Sequence, residues 1–238
     1  MAGNPRFETI LILALLLGSG CSSALHDAVR RNEVEEVRLL LDEGANVNGT
    51  ENGRTALLEA ARVNDVSIAR LLVESRANVE SSERRDGQVF ATPLFYAVSW
   101  GNADMTALLR SAGARLDARG WQEMTPLMEA ARMGHAELVQ YLIANGAQVD
   151  AIDLLGRTPL LWAAISGRAN CVTLLLASGA DPDWKDLSGK SALAYAVQMN
   201  RRDIVEKLKK GPPEPEKQPI PEKTEKTNKH NPKEKSHE

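Results

Sequence analysis

Apolar positions along the chain fall into three kinds of run. Between residues 22 and 210 they recur at helical spacing, as at Leu138, Val139, Leu142 and Ile143, one short helix-sized stripe after another. Paired alanines, Ala60-Ala61, Ala130-Ala131 and Ala163-Ala164, predict helices that approach one another closely. Ahead of this region stands an unbroken apolar run, Ile10 to Leu17, and after Lys210 almost nothing apolar remains. The middle region therefore predicts an all-α fold of short helix pairs separated by turns.

The helical stripes repeat with one period. Thr92-Pro93-Leu94, Thr125-Pro126-Leu127, Thr158-Pro159-Leu160 and Ser191-Ala192-Leu193 follow one another at intervals of 33 residues. Thr55-Ala56-Leu57 stands 37 residues before the first of these, and Ser23-Ala24-Leu25 another 32 before that. A second marker, Asn32, Asn64, Gly101, Gly134, Gly167 and Asn200, keeps the same steps. Each marker has a physical task. A Thr or Ser hydroxyl satisfies free N–H groups where a helix begins, and a following Pro already has the φ of a first helical turn. Gly or Asn tolerates the left-handed conformation that reverses the chain between two helices. Gly44, Gly113, Gly146 and Gly179 then close the second helices.

These residues resemble the ankyrin repeat, and segment 125–150 follows that pattern almost position by position. The resemblance implies a solenoid of helix-turn-helix pairs with β-turn fingers, about six repeats including caps, over residues 21–210. One such repeat cannot bury its own apolar face, so stability comes from stacking neighbours. The last cap, the polar helix 201–210, is expected to meet water. Three departures stand out. Arg76 replaces a closing glycine, at a cost of up to about 1 kcal/mol where φ is positive. Four extra residues lie in the loop before Thr92. The family's histidine after the Thr-Pro-Leu unit survives only as His26, with Leu58, Phe95, Met128, Leu161 and Ala194 in its place, so that apolar packing is expected to replace an inter-repeat hydrogen bond.

The ends belong to other categories. Arg6, the apolar run of eight residues and the small residues Gly18-Ser19-Gly20 describe a secretory signal over residues 1–20, too short to cross a bilayer, which takes about 20. Small residues directly before Cys21 resemble the bacterial lipobox, although Gly18 stands where leucine is usual. That resemblance implies lipidation of Cys21, and Ser22 after it implies an outer-membrane destination facing the periplasm. Residues 211–238 carry six Pro, six Lys and six Glu and predict a disordered tail.

Lys plus Arg number 29 and Asp plus Glu 32, a net charge of −3 that supplies no field for nucleic acid. The four histidines sit at repeat positions or in the tail, and no catalytic constellation, cofactor motif or metal-ligand spacing is present. Cys171 reads as a helix residue of the core. The expectation is a non-enzymatic protein-binding lipoprotein, monomeric when free. Carrying the family's contact positions across repeat by repeat places partner binding on Arg54, Arg62, Phe90, Trp100, Trp121, Met124, Arg132, Met133, Leu154, Leu155, Arg157 and Ile165. Trp, Met and Arg are enriched in interface cores. Ankyrin lipoproteins of this layout resemble immunity or accessory proteins of secreted lipases and phospholipases. That likeness implies neutralisation of a membrane-acting enzyme, with a scaffold or stabiliser of a periplasmic enzyme or envelope assembly as the alternative.

Overall fold

The computed structural model describes residues 20–211. The signal segment, the side chain of Cys21 and the tail beyond Gly211 lie outside the described residues. Among the described residues twelve α-helices pair into six repeats: α1 (Gly20–Arg30) with α2 (Val34–Asp42), α3 (Ala56–Arg62) with α4 (Val66–Glu74), α5 (Pro93–Ser99) with α6 (Ala103–Ser111), α7 (Pro126–Met133) with α8 (Ala136–Ala144), α9 (Pro159–Ser166) with α10 (Ala169–Ala177), and α11 (Ala192–Gln198) with α12 (Arg202–Lys210). The first helices pack side by side in one continuous row.

Local chemistry starts the first helices of repeats two to six as the spacing predicts; in repeat one Ser23 lies inside α1, and its hydroxyl donates to Glu51 instead of capping the helix. The hydroxyls of Thr55, Thr92, Thr125, Thr158 and Ser191 accept the backbone N–H three residues on, at 3.2–3.4 Å. The six inter-helix markers all have positive φ, between 55° and 88°. At three of them the next repeat also leans on the marker. A Cβ on Gly101 would meet the His135 ring at 2.6 Å, one on Gly134 the Arg168 chain at 2.7 Å, and one on Gly167 the Arg201 guanidinium at 2.9 Å. Asn64, which has a Cβ, instead accepts a hydrogen bond from the Asn102 amide at 2.7 Å.

The core is shared between repeats. Ala60, Ala61, Ala97, Ala130, Ala131, Ala163, Ala164 and Ala196 are wholly buried, and their lack of bulk lets neighbouring first helices close on one another. Leu57, Leu127 and Leu160 fill the spaces beside them, each burial worth about 1.5–3 kcal/mol. Leu58, Phe95, Met128 and Leu161 are buried where the family's histidine would stand, and only Ala194 in the last repeat is exposed. His26, which keeps that position, bonds the Arg54 carbonyl of the next repeat at 2.9 Å. A second edge of the stack is polar. The side-chain oxygens of Asn48, Glu80, Asp117 and Asp150 accept the backbone N–H of Asn78, Arg115, Gln148 and Asp181, each in the following repeat, at 2.7, 2.8, 3.1 and 3.2 Å.

Between repeats the chain projects as fingers. In repeat two, β1 (Thr50–Glu51) pairs with β2 (Arg54–Thr55) across Asn52-Gly53, both with positive φ, the signature of a type I′ turn. The four extra residues before Thr92 do not form an open loop. They lengthen the next finger into a hairpin, β3 (Glu83–Arg85) with β4 (Gln88–Ala91), turned by Asp86-Gly87. In repeat four the finger turns at Gln122-Glu123, both with positive φ.

Arg76 sits at φ 65°, in the left-handed region the position demands, and its side chain is exposed. Replacing it with glycine removes the strain and no contact of the core. Arg76→Gly is expected to raise unfolding stability by about 0.5–1 kcal/mol in urea titration. A lowered midpoint would show that the Arg side chain contributes more than the backbone loses.

Candidate protein-interaction face

The fourth residue after each helix-capping Thr or Ser is either a carboxylate or an aromatic: Glu59, Tyr96, Glu129, Trp162, Tyr195. Each is tied down by a partner chosen to match. Glu59 and Glu129, both nearly fully buried, accept hydrogen bonds from Arg62 at 2.6 Å and Arg132 at 2.8 Å, three residues on. Ser99 donates a further hydrogen bond to Glu129 from the preceding repeat. Where an aromatic stands instead, a carboxylate comes from the finger: Tyr96 donates to Glu83 at 2.5 Å, Trp162 to Asp153 at 3.0 Å and Tyr195 to Asp186 at 2.5 Å.

These pairings set the electrostatics. The Arg62 hydrogen bond holds Glu59 below the usual carboxylate range against the opposing effect of burial. Burial pushes Glu83 up, but hydrogen bonds from Tyr96 and Arg85 outweigh it and leave the group lowered. Burial and the Glu83 bond together raise the Tyr96 phenol. At Asp186, burial is overcome by hydrogen bonds from Ser188, Tyr195 and the backbone of Lys190, which bring the carboxyl down to about 2. Cys171 is 1% exposed and burial pushes its thiol up, so it belongs to the core. Among the described residues no group of His, Cys, Asp or Glu could hold a metal ion, and no helix is long and apolar enough to cross a membrane.

Above this polar row the fingers carry an apolar ridge. Trp121, Leu154 and Leu187 occupy one position in repeats four, five and six, and are 45%, 55% and 79% exposed. Their backbones are linked: Leu154 N–H donates to Gln122 C=O at 3.1 Å and Leu187 N–H to Leu155 C=O at 3.0 Å. Trp184 lies across the previous finger, its indole donating to Gly156 C=O at 2.8 Å. At the other end of the first helices Val63, Trp100 and Met199 are exposed and Met133 half-buried, and Trp100 is steadied by an indole bond to Arg62 C=O at 3.0 Å.

The candidate residues separate accordingly. Trp100, Trp121, Leu154 and Leu155 are exposed as expected, and Met133 and Ile165 are half-buried beside them. Phe90 is half-buried with the Arg85 guanidinium stacked 3.6 Å over its ring. Met124 is a correction. It is wholly buried in a small core beneath the fingers with Ala91, Phe95, Met128, Ala151 and Trp162, and cannot touch a partner. The four arginines are only partly exposed and are engaged within the chain: Arg62 and Arg132 as above, Arg54 with Glu59 at 3.3 Å, and Arg157 over the Trp162 ring at 5.0 Å. Ile152 and Trp184 were absent from the sequence expectation although both are exposed. Large apolar residues in loops that are otherwise polar would have marked them.

Asp186 supplies a pH test. Its carboxyl lies lower folded than unfolded, so its stabilisation is present above the unfolded value near 4 and fades as pH falls toward 2. Asp186→Asn is expected to cost on the order of 2 kcal/mol at pH 7 and almost nothing at pH 2, by chemical denaturation at both. A cost that does not shrink in acid would contradict this origin.

The family model for ankyrin repeats in three copies matches residues 4–83, 81–153 and 149–218. A solved ankyrin repeat domain from Acinetobacter baumannii is 30% identical with a TM-score of 0.71, over 77% of this chain and 95% of that one. No curated protein matches the chain. Since 590 solved chains match, the architecture identifies a class of scaffold and leaves the choice of partner to the exposed side chains. The chain belongs to the ankyrin-repeat family, whose fold is a protein-interaction scaffold.

Proposed function

We propose that this protein is a lipid-anchored binding module of the bacterial envelope. It is held through Cys21 on the periplasmic side of the outer membrane and neutralises a membrane-acting enzyme such as a secreted phospholipase. The observation that carries the reading is the finger ridge of Trp121, Leu154, Leu155 and Leu187, with Trp184 beside it. Contiguous exposed apolar side chains on a protein surface mark interaction sites. Here they stand on backbones already bonded to one another, so little ordering is lost on association.

Position supports the membrane part of the reading. Helix α1 begins at Gly20, one residue before Cys21, so an anchor there would leave no spacer between lipid and stack. A partner on the fingers would then meet the protein beside the bilayer. Inhibition follows if the ridge covers the surface the enzyme uses to engage lipid.

Two experiments test the parts separately. Radiolabelled palmitate should be incorporated into the wild-type chain in bacterial cells and lost in Cys21→Ala. Equal labelling, or none in either, removes the anchor. For the partner, a secreted bacterial phospholipase is assayed on phospholipid vesicles with and without the full chain. The expected result is a stable complex with lowered hydrolysis. Trp121→Ala and Leu154→Ala are each expected to weaken binding by tenfold or more, roughly 1.4 kcal/mol or above. No complex, or binding unaffected by both changes, rejects the ridge, and raised enzyme activity would favour a stabiliser over an inhibitor.

A further inference from the structure

The last repeat ends the stack without finishing it. The sixth residue after the helix-capping position is Ala61, Val98, Ala131 and Ala164 in repeats two to five, all at 0% exposure, whereas Val197 in repeat six is 60% exposed. Two residues after the cap, Leu57, Leu94, Leu127 and Leu160 are buried and Leu193 is half-buried. On the second helices Ala69, Thr106, Val139 and Val172 are at 0%, and the equivalent Val205 is half-buried. The expectation that a polar terminal helix closes the solenoid is therefore only half met. The side of α12 facing solvent is polar, but the side on which a further repeat would stack keeps internal-repeat chemistry. A groove of about 310 Å³ runs there between α11 and α12, bordered by Val197, Val205, Asn200, Arg201, Arg202 and Glu206.

We infer that this open end is a docking site for the chain's own C-terminal tail, with Pro219-Ile220-Pro221 seated against Val197 and Val205. The tail follows from the far end of the same helix that borders the groove, since Gly211 ends α12 at φ 75° and residues 212–238 come next. Within that tail Ile220 is the sole aliphatic side chain outside proline. Eight residues separate Gly211 from Ile220, and an extended Pro-rich chain of that length reaches about 25 Å at ~3.1 Å per residue. Val205 lies six helical residues back from Gly211, about 9 Å, so the reach suffices with chain to spare for the reversal. Prolines on both sides preset the extended backbone, and little conformational freedom is lost on docking. Charge agrees as well: Arg202 and Glu206 border an apolar centre, and both acids and bases flank Ile220 in the sequence, at Glu216, Lys217, Glu222 and Lys223. This site is separate from the finger ridge and does not depend on the function proposed for it.

Hydrogen exchange read by mass spectrometry tests the proposal on the full chain. Ile220→Asp lies outside the helical stack, so it cannot act by unfolding it. The expected result is exchange in α11 and α12 faster by roughly tenfold, with α3 to α6 unchanged, reproduced by deleting residues 212–238. Adding a peptide of residues 212–226 to the truncated chain should restore protection, and Val197→Asp in the truncated chain should abolish that rescue. Unchanged exchange in Ile220→Asp overturns the inference. So does protection of α11 and α12 that disappears on dilution of the full chain together with a halving of its solution mass, because a second copy would then be the occupant.

Discussion

The shared apolar boundary between neighbouring first helices is what every other feature of the protein rests on. A helix pair of this size has too little interior to fold alone, and nearly all of its buried surface is created by the next pair. Ala130 and Ala131, or Ala163 and Ala164, are useful because they are small: they bring the adjoining helices close enough for Leu127 and Leu160 to be enclosed. That proximity in turn puts side chains of one repeat within reach of the backbone of another. The Asn48, Glu80, Asp117 and Asp150 oxygens can capture the following repeat's N–H groups because the helices beneath have already fixed the spacing.

The same spacing explains the division of labour on the interaction face. Residues in the row of first helices are too crowded to remain unpaired, and each carboxylate or aromatic there is satisfied internally, Glu129 by Arg132 and Ser99, Trp162 by Asp153. These bonds hold the fingers at a set height above the helices. The fingertips lie beyond that network, and there the exposed side chains are apolar and free of internal tasks, as at Leu154 and Leu187. A polar, self-satisfied floor below an apolar rim is an arrangement that offers a partner contact area without asking the scaffold to reorganise.

Much of the fold was legible because it depends on local chemistry repeated at one interval. The Thr and Ser caps, the positive φ at Asn64, Gly134 and their equivalents, and even the strained Arg76 could be read from single positions. What escaped depends on residues one repeat away. Met124 reads as a fingertip until Trp162 and Ala151, which belong to the following repeat, are placed over it. Arg62 and Arg132 read as free cations until Glu59 and Glu129 are seen to be buried beside them. The choice of Glu or aromatic at one position of the first helices was visible in the letters, together with acids five residues before Thr158 and Ser191. Its meaning required the cross-bonding that only a folded stack displays.

The way each repeat leans on the one before it bears on how such a chain can be rearranged. His135, Arg168 and Arg201 all rest on a glycine in the preceding repeat, whereas Asn102 rests on an asparagine with which it bonds. Excising repeat four would set Arg168 over Gly101, and glycine would still meet an incoming side chain. Excising repeat three would set the His135 ring over Asn64, whose Cβ fills the space the ring needs. Units that look equivalent in sequence are therefore ordered by their junctions, and shuffling, duplication or deletion leaves some of those junctions unchanged and forces a side chain to move at others.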